Sequence, residues 1–417
     1  MKAAIITIGD EILLGQILDT NSRFIARELT ALGAETVEMR SVGDTRSDIL
    51  QALADTFKIA DTVIITGGLG PTKDDITKSA LAEFFHTTLT FNSQVYTWLE
   101  ELFAANPARL NAYNKTQAIL PKNCTPLKNL KGSACGMWFE QEGKIVVSLP
   151  GVPFETEYLL PAEVLPRLKE KFTDLHLAYR LFTVYDIPEA ELAMRLAGFE
   201  QTLDENTKLA YLPSPGFVRL RLTAKGAAVK KLPQVATQLK QALGTIAFTE
   251  GEQSPEDFCA AQLKTLGRTV ACAESCTGGN IAHLITSVPG SSAYFLGGVV
   301  AYANDVKVQV LGVHADDLKK YGAVSEQVAL QMAQGARRVT GADYAVATTG
   351  IAGPDGGTAE KPVGTVWISV AGPNGAVARR FLFSHTRERT IGKASVTALQ
   401  MLLKAVQGKL DKPCDYK

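Results

Sequence analysis

Apolar runs of strand length in this chain end repeatedly in glycine-bearing turns that open helices. Ala3–Ile8 runs into Gly9-Asp10-Glu11, and Asp61–Thr66 runs into Gly67-Gly68-Leu69-Gly70. Arg268–Ala273 runs into Glu274–Gly279, and Tyr344–Thr348 into Thr349-Gly350. Strand, turn and helix in repetition bring each strand back parallel to the last. The pattern predicts an α/β fold with mainly parallel sheets covered by helices, and ligands held beyond the carboxyl ends of the strands. A chain of 417 residues needs more than one core.

The first region shows the pattern most plainly. Thr20–Leu32 carries Phe24, Ile25, Leu29 and Leu32 at helical spacing, and Gly33 stops it. A strand over Thr36–Val42 and a helix over Ser47–Phe57 follow. After the segment Pro150–Phe172 the rhythm shortens. From Ala178 to Thr249 the sequence reads as a strand, a helix (Pro188–Leu196), two strands around Pro213–Gly216 and a helix (Val229–Leu243), a small α+β module. Ser254-Pro255-Glu256 then opens a third region, with Ser254 as N-cap and Pro255 as first helical residue. Its strands are expected at Arg268–Ala273, Leu296–Tyr302, Tyr344–Thr348, Val363–Val370 and Val377–Phe383. Helices are expected at Gly279–Thr286, Ser325–Val339 and Glu388–Val406. The domain boundaries expected are 1–172, 173–250 and 251–417.

Charge and cysteine content exclude several classes. Lys plus Arg and Asp plus Glu are 43 each, a balance that speaks against a general nucleic-acid coat or a polybasic membrane binder. No apolar run reaches the ~20 residues that span a bilayer, and the acidic pair Asp10-Glu11 comes too early for a signal peptide. The six cysteines, Cys124, Cys135, Cys259, Cys272, Cys276 and Cys414, are scattered, which is neither a disulfide framework nor a zinc set. A cytoplasmic protein is the expectation.

In the first region Thr66–Asp75 forms a glycine-rich turn into a helix. Gly67, Gly68 and Gly70 would let main-chain N–H groups approach a phosphate, with Lys73 adding a cation. It is neither a Walker loop nor a dinucleotide fingerprint. Glu11, Asp44 and Asp75 lie on neighbouring strand-end loops, and acids beside a phosphate cradle fit a bridging divalent cation. Helix capping by Asp44 and Asp75 is the alternative. Pro150-Gly151-Val152-Pro153-Phe154-Glu155 is a stiff entry to a helix, with Glu155 in the first turn, where a carboxylate is favoured in any case.

In the third region Glu274-Ser275-Cys276-Thr277-Gly278-Gly279 leaves a strand and opens a helix. Ser275 would stand at the sheet end beside N–H groups able to hold an oxyanion. Capping of the helix by Ser275 or Thr277 is the competing reading. A serine nucleophile needs a base. Of His86, His176, His283, His314 and His385 none occupies a convincing position, so a buried, neutral lysine is the candidate. Lys307, at the start of the helix after Tyr302, fits that role, with Tyr302 as a phenolic relay; a solvated lysine is the alternative. Thr349-Gly350-Ile351-Ala352-Gly353 is a further strand-end turn able to hold a phosphate, or simply a long hairpin loop.

Taken in order, Gly9–Gly15, Thr66–Asp75, Pro150–Glu155, Glu274–Gly279 and Gly350–Gly357 resemble the bacterial CinA (competence/damage-inducible protein A) family over essentially the whole chain. The resemblance implies a molybdopterin-binding (MoCF-like) α/β sandwich, a KH-like middle module and a nicotinamide-nucleotide amidase domain. It implies that Ser275 is the nucleophile, Lys307 the base and Tyr302 an assistant in hydrolysing the amide of nicotinamide mononucleotide (NMN). Cys276, Thr277, Gly278 and Gly279 would then contact the substrate, as would Thr349 to Gly353. This domain needs no cofactor under that reading. The first domain is expected to cleave ADP-ribose to AMP and ribose 5-phosphate with a divalent ion (Mg, Mn or Co). Asp75 matches the family turn there, with Glu11, Asp44 and Glu155 as further ligands. A pterin- or nucleotide-binding module without turnover is the alternative for that domain, and a general amidase the alternative for the last. A homodimer is expected, and no membrane partner.

Overall fold

The computed structural model describes residues 1–72, 75–172, 177–185, 187–214, 217–244, 246, 248–383 and 386–410, with the Arg109 side chain omitted. The chain packs into two compact units, Met1–Tyr179 with Thr223–Pro233, and Arg180–Leu222 with Gln234–Lys417.

The first unit is built on β1 (Lys2–Ile8), α1 (Thr20–Leu32), β2 (Glu35–Val42), α2 (Arg46–Ile59), β3 (Thr62–Thr66), α3 (Thr77–Phe84), β4 (Thr125–Leu127), β5 (Gly136–Gln141), β6 (Lys144–Leu149) and α4 (Pro153–Leu159). The sheet order is β2-β1-β3-β6-β5-β4. The β1/β2, β1/β3 and β3/β6 pairs are parallel and the last two pairs antiparallel. Alternate residues of one strand therefore serve two cores. Ala4, Ile6 and Ile8 pack with Ile49 and Leu53 of α2, whereas Ala3 and Ile5 pack with Ile25 and Leu29 of α1. The bounds of α1 match its apolar spacing. Asp19 accepts from the Ser22 N–H at 2.9 Å, and Gly33 ends the helix in the left-handed region at φ 97°.

The middle module has β7 (Leu177–Tyr185), α5 (Glu189–Glu200), β8 (Thr207–Ser214), β9 (Phe217–Lys225), α6 (Leu232–Leu243) and β10 (Phe248–Glu250). Its sheet runs β8-β9-β7-β10, so a fourth strand joins the three that the sequence pattern predicts. Pro215 and Gly216, expected in the turn, lie outside the described residues.

The remaining part of the second unit comprises α7 (Pro255–Leu266), β11 (Val270–Glu274), α8 (Asn280–Thr286), β12 (Phe295–Val300), α9 (Asn304–Gln309), α10 (Glu326–Thr340), β13 (Tyr344–Gly350), β14 (Thr365–Gly372), β15 (Gly375–Leu382) and α11 (Arg387–Val406). Ser254 caps α7 in a reciprocal box with Asp257. The sheet order is β12-β11-β13-β14-β15, parallel through the first three strands and antiparallel beyond. From β11 the chain goes to one side to form β12 and returns to the other to form β13. Such a reversal leaves a crevice at the carboxyl end of β11, where Ser275 stands. Ala271, Ala273, Ala345 and Ala347 face α10, and their small side chains let that helix lie close. Val270, Cys272, Val346 and Ile368 face α7, α8 and α11. Among the described residues no helix is long and apolar enough to cross a membrane.

Candidate active site

Two main-chain hydrogen bonds fix the end of β11. The Ser275 N–H donates to the Thr348 carbonyl of β13 at 3.0 Å, and the Ala301 N–H donates to the Glu274 carbonyl at 2.8 Å. The nucleophile candidate is thus held between its two neighbouring strands. Gly278 (φ 63°) and Gly279 (φ 102°) adopt left-handed backbone to turn the chain into α8. The Gly278 N–H closes the turn on the Ser275 carbonyl at 3.1 Å. Thr277 and Thr348 share a buried hydroxyl–hydroxyl bond of 2.7 Å.

Glu274 is fully buried. Its carboxylate accepts from the N–H groups of Gly279 (2.9 Å), Ile281 (3.0 Å) and Ala282 (2.8 Å), and from the Cys272 thiol at 3.6 Å. Of the four N–H groups that the sequence pattern offers to an oxyanion, Gly278 and Gly279 are therefore bonded inside the turn. The Cys276 thiol is pushed up to about 12 by burial, which makes it an inert neighbour of Ser275.

Lys307 is 1 % exposed. Its Nζ donates to the carbonyls of Ala301 (2.7 Å) and Tyr302 (3.1 Å). Burial lowers its pKa, and the nearby Cys276 acts in the opposite direction without overcoming it. The amine is thus desolvated next to the residue that follows Ser275, which is the environment that yields a neutral lysine.

Tyr302 is 59 % exposed and lies two residues beyond Val300, the end of the strand that it was expected to close. Its hydroxyl accepts from Arg387 at 3.0 Å, and a second Arg387 nitrogen donates to the Gly353 carbonyl at 3.0 Å. Arg387 thereby joins Tyr302 to the Gly350–Gly353 turn. In that turn the Thr349 hydroxyl donates to Ala323 O at 2.8 Å and the Ile351 N–H to Thr365 O at 2.8 Å. Both belong to the scaffold, whereas the Gly353 carbonyl faces the Arg387 guanidinium.

Two residues of this site escape sequence reasoning. Glu274 reads in the sequence only as the start of the turn after a strand, whereas it closes β11. Arg387 opens a helix far along the chain and has no local motif. His176, His385 and Cys414 lie outside the described residues.

In the first unit the candidate loops meet at the carboxyl ends of β1, β3 and β6. Asn21 donates to the Thr66 hydroxyl (2.9 Å) and the Gly151 carbonyl (2.8 Å), and Thr66 donates to Pro150 O at 2.8 Å. Gly67 (φ 113°) presses on Ile8, and a side chain at Gly70 would meet the Asp75 carboxylate. Lys73 lies outside the described residues. Lys78, near the start of α3, donates to Gln117 Oε1 at 2.7 Å, and burial lowers its pKa.

The four candidate metal ligands have separate engagements. Glu11 is exposed. Asp44 accepts from the Asp10 N–H at 2.9 Å, and the Asp44 N–H donates back to Asp10 at 3.2 Å. Asp75 accepts from the N–H and hydroxyl of Thr72. Glu155 is buried and accepts from Asn129 at 2.8 Å, with burial raising its pKa. Among the described residues no three His, Cys, Asp or Glu side chains are gathered to hold a metal ion. Among the described residues, Asp44, Asp75 and Glu155 each accept a hydrogen bond from a protein donor instead.

Comparison with known proteins adds the family. The family model described as "CinA C-terminal domain" matches residues 252–406, and "Damage-inducible protein CinA KH domain" matches 179–248. "Probable molybdopterin binding domain" matches 4–170. A CinA-like protein of Cytophaga hutchinsonii is 45% identical over 404 residues, covering 96% of this chain and 97% of its own. The chain belongs to the CinA family. A second CinA-like protein, from Flavobacterium psychrophilum, is 43% identical over 97% of this chain and 99% of its own length. The solved structure of competence/damage inducible protein CihA from Agrobacterium tumefaciens is 42% identical. It covers 38% of this chain and 99% of its own, with a TM-score of 0.36.

Proposed function

We propose that the Ser275–Lys307 site is a serine amidase acting on the amide of NMN, with nicotinic acid mononucleotide and ammonia as products. The observation that carries this reading is the desolvated Lys307 amine anchored on Ala301, whose own N–H binds the strand end before Ser275. Neutral Lys307 takes the Ser275 proton as the hydroxyl oxygen attacks the amide carbon. The Cys276 and Thr277 N–H groups stabilise the oxyanion, and one such donor is worth ~3–4 kcal/mol in known oxyanion holes. The Lys307 ammonium returns the proton to the leaving nitrogen, with the Tyr302 hydroxyl as relay. Water then cleaves the acyl-enzyme, with Lys307 again as base. Arg387, held by Tyr302 and Gly353, supplies the positive charge for the 5′-phosphate, in a planar fork suited to phosphate oxygens. The test is ammonia release from NMN by the purified protein, with Ser275→Ala alongside. Release that vanishes in the variant supports the assignment, and a folded wild type without release defeats it. Activity on nicotinamide or its riboside equal to that on NMN would replace it with a general amidase.

For the first unit the family resemblance supports hydrolysis of ADP-ribose to AMP and ribose 5-phosphate at the Gly67–Gly70 turn. AMP release from ADP-ribose in the presence of Mg, Mn or Co is the test. Binding without AMP release would make this unit a nucleotide-binding module.

A further inference from the structure

We propose that Glu274 is a positioning residue for Ser275, bracing the nucleophile turn through a ring of hydrogen bonds. The inference rests on the amidase reading of the site.

A helix start is ordinarily capped by a short polar side chain at the N-cap itself. At α8 the N-cap is Gly279, which has no side chain to offer, and its φ of 102° is needed for the turn. The capping group comes instead from Glu274, the residue immediately before Ser275. Its carboxylate takes the N–H groups of Gly279, Ile281 and Ala282. Its main-chain carbonyl takes the Ala301 N–H. The chain from Glu274 through Ser275, Cys276, Thr277 and Gly278 is therefore closed on itself, with one residue holding both ends.

Three consequences follow for the site. Ser275, Cys276 and Thr277 lie within this ring, so the course of their main chain is set by the length of one side chain. The negative charge needs no cation, because three N–H donors and the α8 dipole stabilise it where it is fully buried. The Cys272 thiol donates to the same carboxylate at 3.6 Å, and a side chain at Gly298 would stand 2.5 Å from the Cys272 sulfur, so glycine there leaves that thiol its place. Glutamine has the same size but presents an NH2 group to N–H donors, so the ring cannot close with all its bonds. Aspartate keeps the charge and shortens the arm by one methylene.

The experiment compares wild type, Glu274→Gln and Glu274→Asp in ammonia release from NMN. The rate of Ser275 labelling by a fluorophosphonate probe is measured in parallel, with Ser275→Ala as the labelling control. The expected result for Glu274→Gln is a kcat lower by ~10²-fold or more, the scale of losing an oxyanion donor. KM stays within about threefold and labelling slows in parallel. Glu274→Asp falls between the two. A cap that serves folding alone lowers the unfolding temperature but leaves kcat per labelled site at the wild-type value, and that result overturns the proposal. If Glu274→Gln does not fold, a wild-type kcat in Glu274→Asp overturns it equally. If the wild type releases no ammonia, the amidase reading fails by itself and the labelling rates decide. Slow labelling in Glu274→Gln supports the brace, and wild-type labelling defeats it.

Discussion

The Lys307 Nζ donates to the Ala301 carbonyl at 2.7 Å, and the N–H of the same Ala301 donates to Glu274 O at 2.8 Å. One residue thus ties the candidate base to the strand that presents the candidate nucleophile. The base is placed by main chain on both sides.

Burial of Lys307 sets a pH dependence. Its folded pKa lies below the ordinary 10.5, so kcat/KM should rise with pH through that lowered value and then level off. Between the folded and unfolded values the unfolded chain carries more protons, and stability therefore rises with pH across that window. Lys307→Met should remove this rise and lose ~10²–10⁴-fold in activity, the usual weight of a general base. Ammonia-release rates and denaturant midpoints across pH check both parts. An unchanged pH profile in the variant would exclude Lys307 as the base.

Arg387 should set affinity for the phosphate rather than the rate of chemistry. Charge-assisted hydrogen bonds contribute roughly 1.5–3 kcal/mol, so Arg387→Ala should raise KM for NMN about 10- to 100-fold with a smaller change in kcat. Nicotinamide riboside, which lacks the phosphate, should be insensitive to the change. Steady-state kinetics on the pair of substrates decide it, and equal losses on both would assign Arg387 to Tyr302 and the loop instead.

Gly67 should tolerate no side chain. A Cβ there would meet the Ile8 carbonyl, and φ is 113°. Gly67→Ala should cost about 2–4 kcal/mol, whereas Gly143→Ala, at φ 74° with open space around it, should cost only about 1–2 kcal/mol for the left-handed backbone. Equilibrium denaturation of the two variants gives the comparison.

Glu155 bears on the first unit's stability. Burial raises its pKa above the ordinary 4.5, so the folded chain holds the extra proton between the two values and stability falls as pH rises through that window. Glu155→Gln keeps an acceptor for Asn129 and removes the buried charge. It should be as stable as wild type or more so at neutral pH, and flatter across the window. A destabilised variant would mean that the ionised carboxylate has a further partner.

Much of this was legible in the chain. The limits of α1 follow from Leu29, Leu32 and Gly33, and the α7 cap follows from Ser254-Pro255, because such signals are local. The position of Ser275 follows from the glycines that let β11 turn into α8. The burial of Lys307 could not be read, since a lysine in the first turns of a helix is ordinarily solvated and only the Ala301 and Tyr302 carbonyls draw it inward. Tyr302 itself left the expected strand because pairing ends at Val300. Arg387 and Glu274 act across distances for which the sequence has no period. The acids of the first unit looked alike as strand-end carboxylates; what separates them is the partner each finds, Asp10 for Asp44, Thr72 for Asp75 and Asn129 for Glu155.

The clamping of Ser275 between β12 and β13 has a consequence for motion. The amides of Ser275 and Ala301 extend the parallel pairing one residue beyond the ends of β11 and β12, so they open only when those strand ends do. In hydrogen–deuterium exchange they belong with the slowest protons of the second unit. Heat inactivation of the proposed amidase and melting of that sheet should then be a single event, with no temperature at which the scaffold survives and the turn carrying Ser275 has come loose.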